Sequence, residues 1–504
     1  MTLRRYLWGD SASILTLLGV AAVVLFVKLG AAELWTLEGR WAGVCAHMIR
    51  SGDYLHPYLY GHAYYDKPLL SYWLAIAVAH ALGGLNEAAL RVPSALAGLL
   101  SIWLVYRLGK RRFDRTTGLL AGFLLTTSYM FVFWSRVASA DMLNVAGTLA
   151  TVTWYFERRD RPTFLDFAVF FVLIALTCLM KGLIGSVVPA LLILPDLLRE
   201  RRWGVLLRAS LVPAALIGAA VYLAPFLASS LTQPSSYTQS GLKMVFRENA
   251  LRYFDPFDHQ APVYIYFLQL PVFLIPWAAL LPFAVWRLVR HWRDVPEASR
   301  WLAWGCLLVF VFLTASGSRR SYYILPMVPF VILLVADWVY FETRFGFLQP
   351  VCGWGVVAML AVMVVWFAVA VPLGFRQGGQ RLLAGEVRQY AEARAPWVTW
   401  KVLICGAPPG VGYYFHTGAE ATVIPIAEAA KVSGYVEADP RTIVLTRRRF
   451  EKQVRSRLPP ATAFEERSRL PRLLRSARAS ERNIIALVPQ SARLSEDGPT
   501  SVSE

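Results

Sequence analysis

The chain has 504 residues, 56% of them hydrophobic, 13% aromatic and only 17% charged. A water-soluble globule is nearer ~45–50% apolar, so this balance excludes one and implies a polytopic membrane protein whose main part is all-α. A formal net charge of +18 would point to nucleic acid in a soluble protein. Here the Lys and Arg residues sit between apolar segments, where orientation in a membrane accounts for them, and no nucleic-acid partner is expected.

Apolar runs of about 17–25 residues, the length that crosses ~30 Å of hydrocarbon as helix, fall near 11–30, 91–108, 116–135, 139–156, 163–180, 182–198, 207–228, 264–289, 300–317, 320–340 and 349–374. They predict about eleven transmembrane helices. The first run leads into Glu33 rather than a cleavage site and is expected to stay as an anchor. Basic clusters at Arg4 and Arg5, Lys110 to Arg115, Arg158 to Arg161, Arg199 to Arg208 and Arg287 to Arg293 recur after every second span. They mark the cytoplasmic face and place the N-terminus inside. Leu69 to Gly83 is apolar but short, and counting it as a span breaks that alternation, so it reads as an interfacial or re-entrant helix. The outer face then carries residues 31–90, the turn at 136–141, Lys181, the loop 229–263, the loop 317–322 and everything after about residue 375.

After Phe375 the composition becomes that of a soluble module. VLICGAPPGVGYYFH and TIVLT read as short buried strands around Gly/Pro turns. The expected organisation is a transmembrane domain at 1–374, with 31–90 its first outer catalytic loop, a small C-terminal α/β domain at 375–490 on the outer face, and a disordered tail at 491–504. The Arg content of this module taken alone favours the cytoplasm, but the positive-inside bias acts on short loops and only weakly on whole domains. Cys45, Cys178, Cys306, Cys352 and Cys405 show no C-x-x-C spacing, so neither a disulfide framework nor a zinc site is indicated.

Between the first two long apolar runs lies LEGRWAGVCAHMIRSGDYLHPYLYGHAYYDKP, Leu37 to Pro68. Polar chemistry at a bilayer face is rarely structural filler. Glu38, Arg40, Trp41 and Ala42, then Ser51, Gly52, Asp53 and Tyr54, then Gly61, Tyr64, Asp66, Lys67 and Pro68, form three spaced motifs. Further along stand ALRVPSALAGLL (89–100), SRVASADML (135–143), MKGLIG (180–185), FRENALRYFDPFDHQAPVYIY (246–266) and SRRSYYILPMVP (318–329). With these pieces in this order over residues 30–330, the sequence resembles the integral-membrane glycosyltransferases of the GT-C fold, specifically the bacterial relatives of protein O-mannosyltransferases and of the lipid A aminoarabinose transferase. The C-terminal module adds nothing to the resemblance. One position departs from it: the first acid of the family's pair is Leu37 here, and Glu38 alone remains. Three readings stay open, namely that Glu38 takes over, that Asp66 or Asp141 serves, or that activity is altered or lost.

The resemblance implies a polyprenyl-phosphate-linked sugar donor, an envelope acceptor (lipid A or lipopolysaccharide, another glycan, or a protein), and an inverting transfer at the outer face of the bacterial cytoplasmic membrane. Such a transfer needs a carboxylate to deprotonate or orient the acceptor, and cations to offset charge on the departing phosphate. Glu38, Asp66 and Asp141 are the candidates for the first task. Lys67, Arg247, Arg319, Arg320 and Lys181 are those for the second. Arg40, Tyr64, His259 and Tyr322 are expected to line the sugar or lipid subsite.

Each has a plainer reading. Asp66 and Lys67 pair with one another, Lys181 caps a helix C-terminus, Asp141 is an interfacial turn residue, and His259 is a hydrogen-bonded loop residue. His47, His56 and His62 lack metal spacing and read as solvated surface. No cofactor or metal is required by these residues, although a divalent ion near Asp66 and Asp141 stays open. Two rival functions remain. A transporter or flippase predicts an internal repeat and charges at mid-membrane, whereas the charges here gather at one face. A non-catalytic relative of the enzyme is kept in play by Leu37.

Overall fold

The structure, a computed structural model, describes residues 10–34, 37–232, 247, 251–255, 260–341, 348–375, 379–416, 421–459, 464–468 and 483–490. The chain divides into two compact units, one of Met1–Leu29, Gly52–Pro57 and Tyr64–Val369, the other of Gly30–Ser51, Tyr58–Ala63 and Ala370–Glu504. The expected tail at 491–504 lies outside the described residues.

The main helices in chain order are α1 (Asp10–Phe26), α2 (Glu38–Ser51), α3 (Leu70–Ala81), α4 (Glu87–Arg112), α5 (Arg115–Thr126), α6 (Tyr129–Ser135), α7 (Ala140–Arg158), α8 (Phe164–Lys181), α9 (Ile184–Arg199), α10 (Leu211–Thr232), α11 (Ile265–Leu274), α12 (Leu281–Arg290), α13 (Glu297–Ala315), α14 (Val328–Phe341), α15 (Leu348–Val365), α16 (Gln380–Glu392) and α17 (Val432–Ala438). The strands are β1 (Tyr58–Leu59), β2 (His62–Ala63), β3 (Lys401–Cys405), β4 (Thr422–Ile424), β5 (Thr442–Arg447), β6 (Phe464–Ser468) and β7 (Ile484–Pro489).

All the helices from α1 to α15 except α2 belong to the first unit. Their starts are written in short polar side chains that satisfy the otherwise unpaired first amides. Asn86 accepts from the Ala89 amide at 2.9 Å to open α4, Asp114 accepts from Thr116 and Thr117 to open α5, and Thr163 and Asp166 form a reciprocal capping box on α8. Among the described residues six helices are long and apolar enough to cross a membrane. Two bent pairs, α5 with α6 at 69° and α11 with the segment Trp277–Arg290 at 112°, raise this to eight if each is one span. Helices occupy all eleven predicted stretches, but α1, α7 and α9 are not among those that qualify by length and composition. The chain is a multi-pass membrane protein.

Burial orders these helices. From Val328 to Val339, α14 is buried throughout. By contrast α10 exposes Leu216, Leu227 and Leu231, and α15 exposes Val351, Trp354 and Val357, the outward apolar faces that lipid tails cover. Two groups of charges inside this unit are neutralised by pairing, since an isolated charge is costly at depth. Arg287 donates to Asp337 at 3.0 Å with Ser299 on the same oxygen at 2.7 Å, and Arg159 and Tyr155 share the Asp196 carboxylate.

In the second unit, a five-stranded sheet has the order β4-β3-β5-β7-β6. β3 runs parallel to β4 and β5, while β7 runs antiparallel to β5 and β6. Alternation along the strands sends side chains to both faces. Val402, Ile404, Ile443 and Leu445 pack with Leu383 and Val387 of α16, Trp397 and Trp400. Leu403, Cys405 and Val444 pack with Val432 and Val436 of α17. The helix α2 and the β1-β2 hairpin, drawn from early in the chain, belong to this unit. The Glu33 carboxylate accepts the Gln380 and Arg381 amides at 2.6 and 2.8 Å and so caps the start of α16 within this unit.

Candidate active site

In the first unit a buried acid and base meet where α7 begins and α8 ends. Ser139 caps α7, its hydroxyl accepting from the Asp141 amide at 3.3 Å, which puts the Asp141 carboxylate in the first helical turn, where exposed amides favour an anion. Lys181 is the last residue of α8, where unpaired carbonyls favour a cation, and Gly182 follows at φ +107°, a conformation open to glycine that stops the helix there. Lys181 Nζ donates to Asp141 Oδ1. The two side chains are 14% and 7% exposed.

A short 3-10 segment, Ser321–Met327, supplies the aromatic wall of this pair. Lys181 Nζ lies 5.2 Å from the Tyr323 ring and 5.8 Å from that of Tyr322, close enough for cation–π attraction. The Tyr322 ring packs against Trp134 at 4.5 Å and edge-on to Tyr323 at 5.3 Å. Arg320 donates to the Tyr322 hydroxyl at 2.5 Å. The structure thus brings together Asp141, Lys181, Arg320 and Tyr322 of the predicted residues. It adds Tyr323 and Trp134, whose only signal in the sequence was their place in the SRRSYYILPMVP and YMFVFWSR stretches. An anion entering here would find an ammonium and a guanidinium, and would loosen Lys181 from its carboxylate.

The other predicted residues lie as follows. Arg319 is turned onto backbone: Nε donates to the Ala261 carbonyl at 2.7 Å and Nη1 to those of Thr314 and Ser316. Asp66 and Lys67 are half-buried, and Lys67 Nζ donates to the Asp66 carbonyl at 3.0 Å rather than to its carboxylate. Tyr64 is half-buried, its amide on the Pro57 carbonyl at 2.7 Å. Arg247 is exposed, and His259 lies outside the described residues. Glu38, buried, and Arg40, half-buried, open α2 in the second unit. Among the described residues, no group of three or more His, Cys, Asp or Glu side chains is placed to hold a metal ion.

One expectation is corrected. His56 is not solvated surface: it is 2% exposed, with Nδ1 2.7 Å from the Asp53 carboxylate and Nε2 3.4 Å from the Ser229 carbonyl at the end of α10. His62 is exposed, and His47 is half-buried against Tyr58, ring to ring at 5.3 Å. Partial burial alone would raise the Asp53 carboxyl, but the Leu55 and His56 amides and the His56 ring outweigh it and hold the group below its ordinary value.

Two buried arginines hold the end of α1. Arg136 donates to the carbonyls of Val24, Leu25 and Val27 at 2.7–2.9 Å, and Arg91 to that of Leu29 at 2.9 Å. Together they take up the free carbonyls where α1 ends. Arg136 stands three residues before the Ser139 cap, so the anchor of α1 and the start of α7 are one device.

Residues 66–228 match the family model described as dolichyl-phosphate-mannose-protein mannosyltransferase. The chain is 30% identical over 332 residues to the undecaprenyl phosphate-alpha-4-amino-4-deoxy-L-arabinose arabinosyl transferase 1 of Pseudomonas fluorescens (strain Pf0-1), covering 64% of this chain and 57% of that one. It is 30% identical over 322 residues to the corresponding transferase of Aeromonas salmonicida, covering 60% of this chain and 56% of that one. The matched stretch therefore spans less than two thirds of these relatives. ArnT from Cupriavidus metallidurans, solved with undecaprenyl phosphate bound, superposes with a TM-score of 0.71 at 17% identity, covering 96% of this chain and 98% of that one. The chain is a multi-pass membrane protein that shares the fold of that ArnT structure and is similar in sequence to the undecaprenyl phosphate aminoarabinose transferases.

Proposed function

We propose that the chain is a glycosyltransferase that moves a monosaccharide from a polyprenyl-phosphate carrier to an acceptor in the bacterial envelope, lipid A or lipopolysaccharide first among the candidates. The observation that carries this reading is the Asp141–Lys181 pair, walled by Tyr322 and Tyr323 with Arg320 beside them, in the fold of the relatives above. Their names, which specify undecaprenyl phosphate and an aminoarabinose, support the donor class. The eleven-span topology, with the site on the outer face of the cytoplasmic membrane, belongs to the same proposal, as does the assignment of 1–374 to catalysis and 375–490 to the outer face.

In this reading the donor phosphate meets Lys181 and Arg320, with Lys67 and Arg247 as further cations. As Lys181 turns to the phosphate it releases the Asp141 carboxylate, which then faces the acceptor where the reaction needs a base. The acceptor oxygen or nitrogen attacks the anomeric carbon from the face opposite the phosphate. A new glycosidic bond forms as the bond from that carbon to the phosphate oxygen breaks, and polyprenyl phosphate leaves as the anion. The acceptor's proton passes to Asp141, with Glu38 and Asp66 as the other carboxylates open to this task. Arg319 keeps the loop in shape through its backbone bonds.

The test is mass spectrometry of glycolipids and envelope proteins from a deletion strain, complemented with the wild type or with Asp141→Asn. Loss of one sugar from one acceptor, restored only by the wild type, supports the assignment. An envelope identical in all strains, with no polyprenyl-linked sugar accumulating, rejects it.

A further inference from the structure

The face of α7 that carries Asp141 continues downward as a polar stripe, with Asn144, Thr148 and Thr151 following at helical spacing, all buried. Asn144 and Thr148 are 0% exposed. Other hydroxyls on this and nearby helices satisfy themselves by donating to the carbonyl four residues back, as Thr151 does to Gly147, Thr177 to Leu173 and Ser135 to Phe131. Thr148 does not. Among the described residues its buried hydroxyl has no partner, and neither have the amide nitrogen and the amide oxygen of Asn144. A primary amide stripped of water without a hydrogen bond is strongly destabilising, more so in a unit surrounded by lipid. Leucine fills the same volume without that penalty.

From these groups we infer that Asn144 and Thr148 hold a short column of internal water that begins under Asp141, and that Asn144 is a positioning residue for the Asp141 carboxylate. The spacing fits. Asn144 lies about 4.5 Å and Thr148 about 10 Å along the helix axis from Asp141, a stretch that about three waters at ordinary hydrogen-bond separation can link. The amide offers two donors and an acceptor, the hydroxyl one donor and two acceptors, so each water can reach the several partners that make a buried site stable. Asp141 gives one oxygen to Lys181; water held by Asn144 then fixes the rotamer of the carboxylate while Lys181 engages the phosphate. The positioning role rests on the transferase reading, whereas the water column does not.

The experiment uses the full chain in lipid nanodiscs, with Asn144→Leu and Thr148→Val compared with wild type in three measurements: thermal unfolding, a high-resolution density map of the wild type, and the pH profile of sugar transfer from a polyprenyl-phosphate donor. The expected results are density peaks within hydrogen-bond distance of the Asn144 amide, an unfolding temperature that does not rise in Asn144→Leu, and a kcat reduced on the order of tenfold to a hundredfold with a displaced acid limb and little change in the donor KM. A dry amide in the map, or an Asn144→Leu protein that melts higher and keeps the wild-type pH profile, overturns the inference. If the wild type transfers no sugar at all, the transferase reading fails while the map and the melting curves still decide the water.

Discussion

Gly39 and Gly410 meet backbone to backbone. A Cβ built on Gly39 would stand 2.5 Å from the Gly410 Cα, and one on Gly410 would stand 2.7 Å from the Gly39 Cα. Gly39 follows Glu38 at the start of α2, and Gly410 lies in the 3-10 turn after β3. The contact involves backbone on both sides, so neither partner can yield by changing rotamer. It fixes the helix that bears the surviving acid of the Leu37–Glu38 pair against a turn some 370 residues later in the sequence.

Replacing either glycine by alanine therefore forces α2 away from the turn. Overpacking of this kind costs about 1–3 kcal/mol, and Gly39→Ala or Gly410→Ala is expected to lower the thermal midpoint. The double variant should lose less than the sum of the two, because one displacement accommodates both methyl groups. Calorimetry on the single and double variants checks this; strict additivity would show that the contact is not shared.

Lys181 and Asp141 predict an asymmetric pattern. Removing one partner of a buried pair leaves a charge uncompensated and costs about 3–5 kcal/mol, while replacing both by neutral groups of similar size is nearly neutral. Lys181→Met should thus destabilise strongly, and Lys181→Met with Asp141→Asn should recover most of the loss in melting temperature. On the proposed transferase reading, sugar transfer should be lost in both. A double variant that melts as low as the single one would show that the pair is not coupled.

The Asp53–His56 clasp gives a pH-dependent prediction. Because the folded state lowers the Asp53 carboxyl below its ordinary value of ~3.9, the unfolded chain binds the proton more readily. The stabilisation is present above about pH 4 and fades as the pH falls through the folded value. Asp53→Asn should remove this contribution near neutrality and flatten the acid limb of the stability profile. Melting curves from pH 3 to 7 on wild type and variant read the difference directly, and parallel curves would dismiss the clasp as a contributor.

Arg136 is expected to matter as an anchor. Arg136→Ala strands three carbonyls at the end of α1, two of them buried, and at about 1–3 kcal/mol for an unsatisfied buried group the variant should be among the least stable single substitutions. Arg136→Lys keeps the charge but cannot span three acceptors with one planar fork, so it should recover only part of the loss. Equal melting temperatures for wild type and Arg136→Ala would contradict the anchoring role.

The legibility of the molecule in its sequence follows the range of the forces involved. Apolar runs announced helices at all the predicted stretches because helical hydrogen bonds are local and the bilayer demands about twenty apolar residues. Caps such as Asn86, Asp114 and Thr163 were equally local. The resemblance, together with the chemical types of the motif residues, nominated Asp141, Lys181, Arg320 and Tyr322. Their neighbours Tyr323 and Trp134 were visible only as members of aromatic clusters, which in a membrane protein have an interfacial reading as well.

What the sequence determined by itself is the class of the molecule and the chemical types at its site: how much of the chain must be helix in lipid, and which charges are too costly there to be incidental. Tertiary structure alone decided which of those charges meet. It turned Arg319 onto backbone carbonyls, buried His56 on Asp53, seated Lys181 on Asp141, and joined α2 to the C-terminal sheet through two glycines. The reason is that pairing between residues tens to hundreds of positions apart depends on how helices and sheets pack, and packing is selected by the shape and burial of the whole unit rather than by any stretch of its sequence.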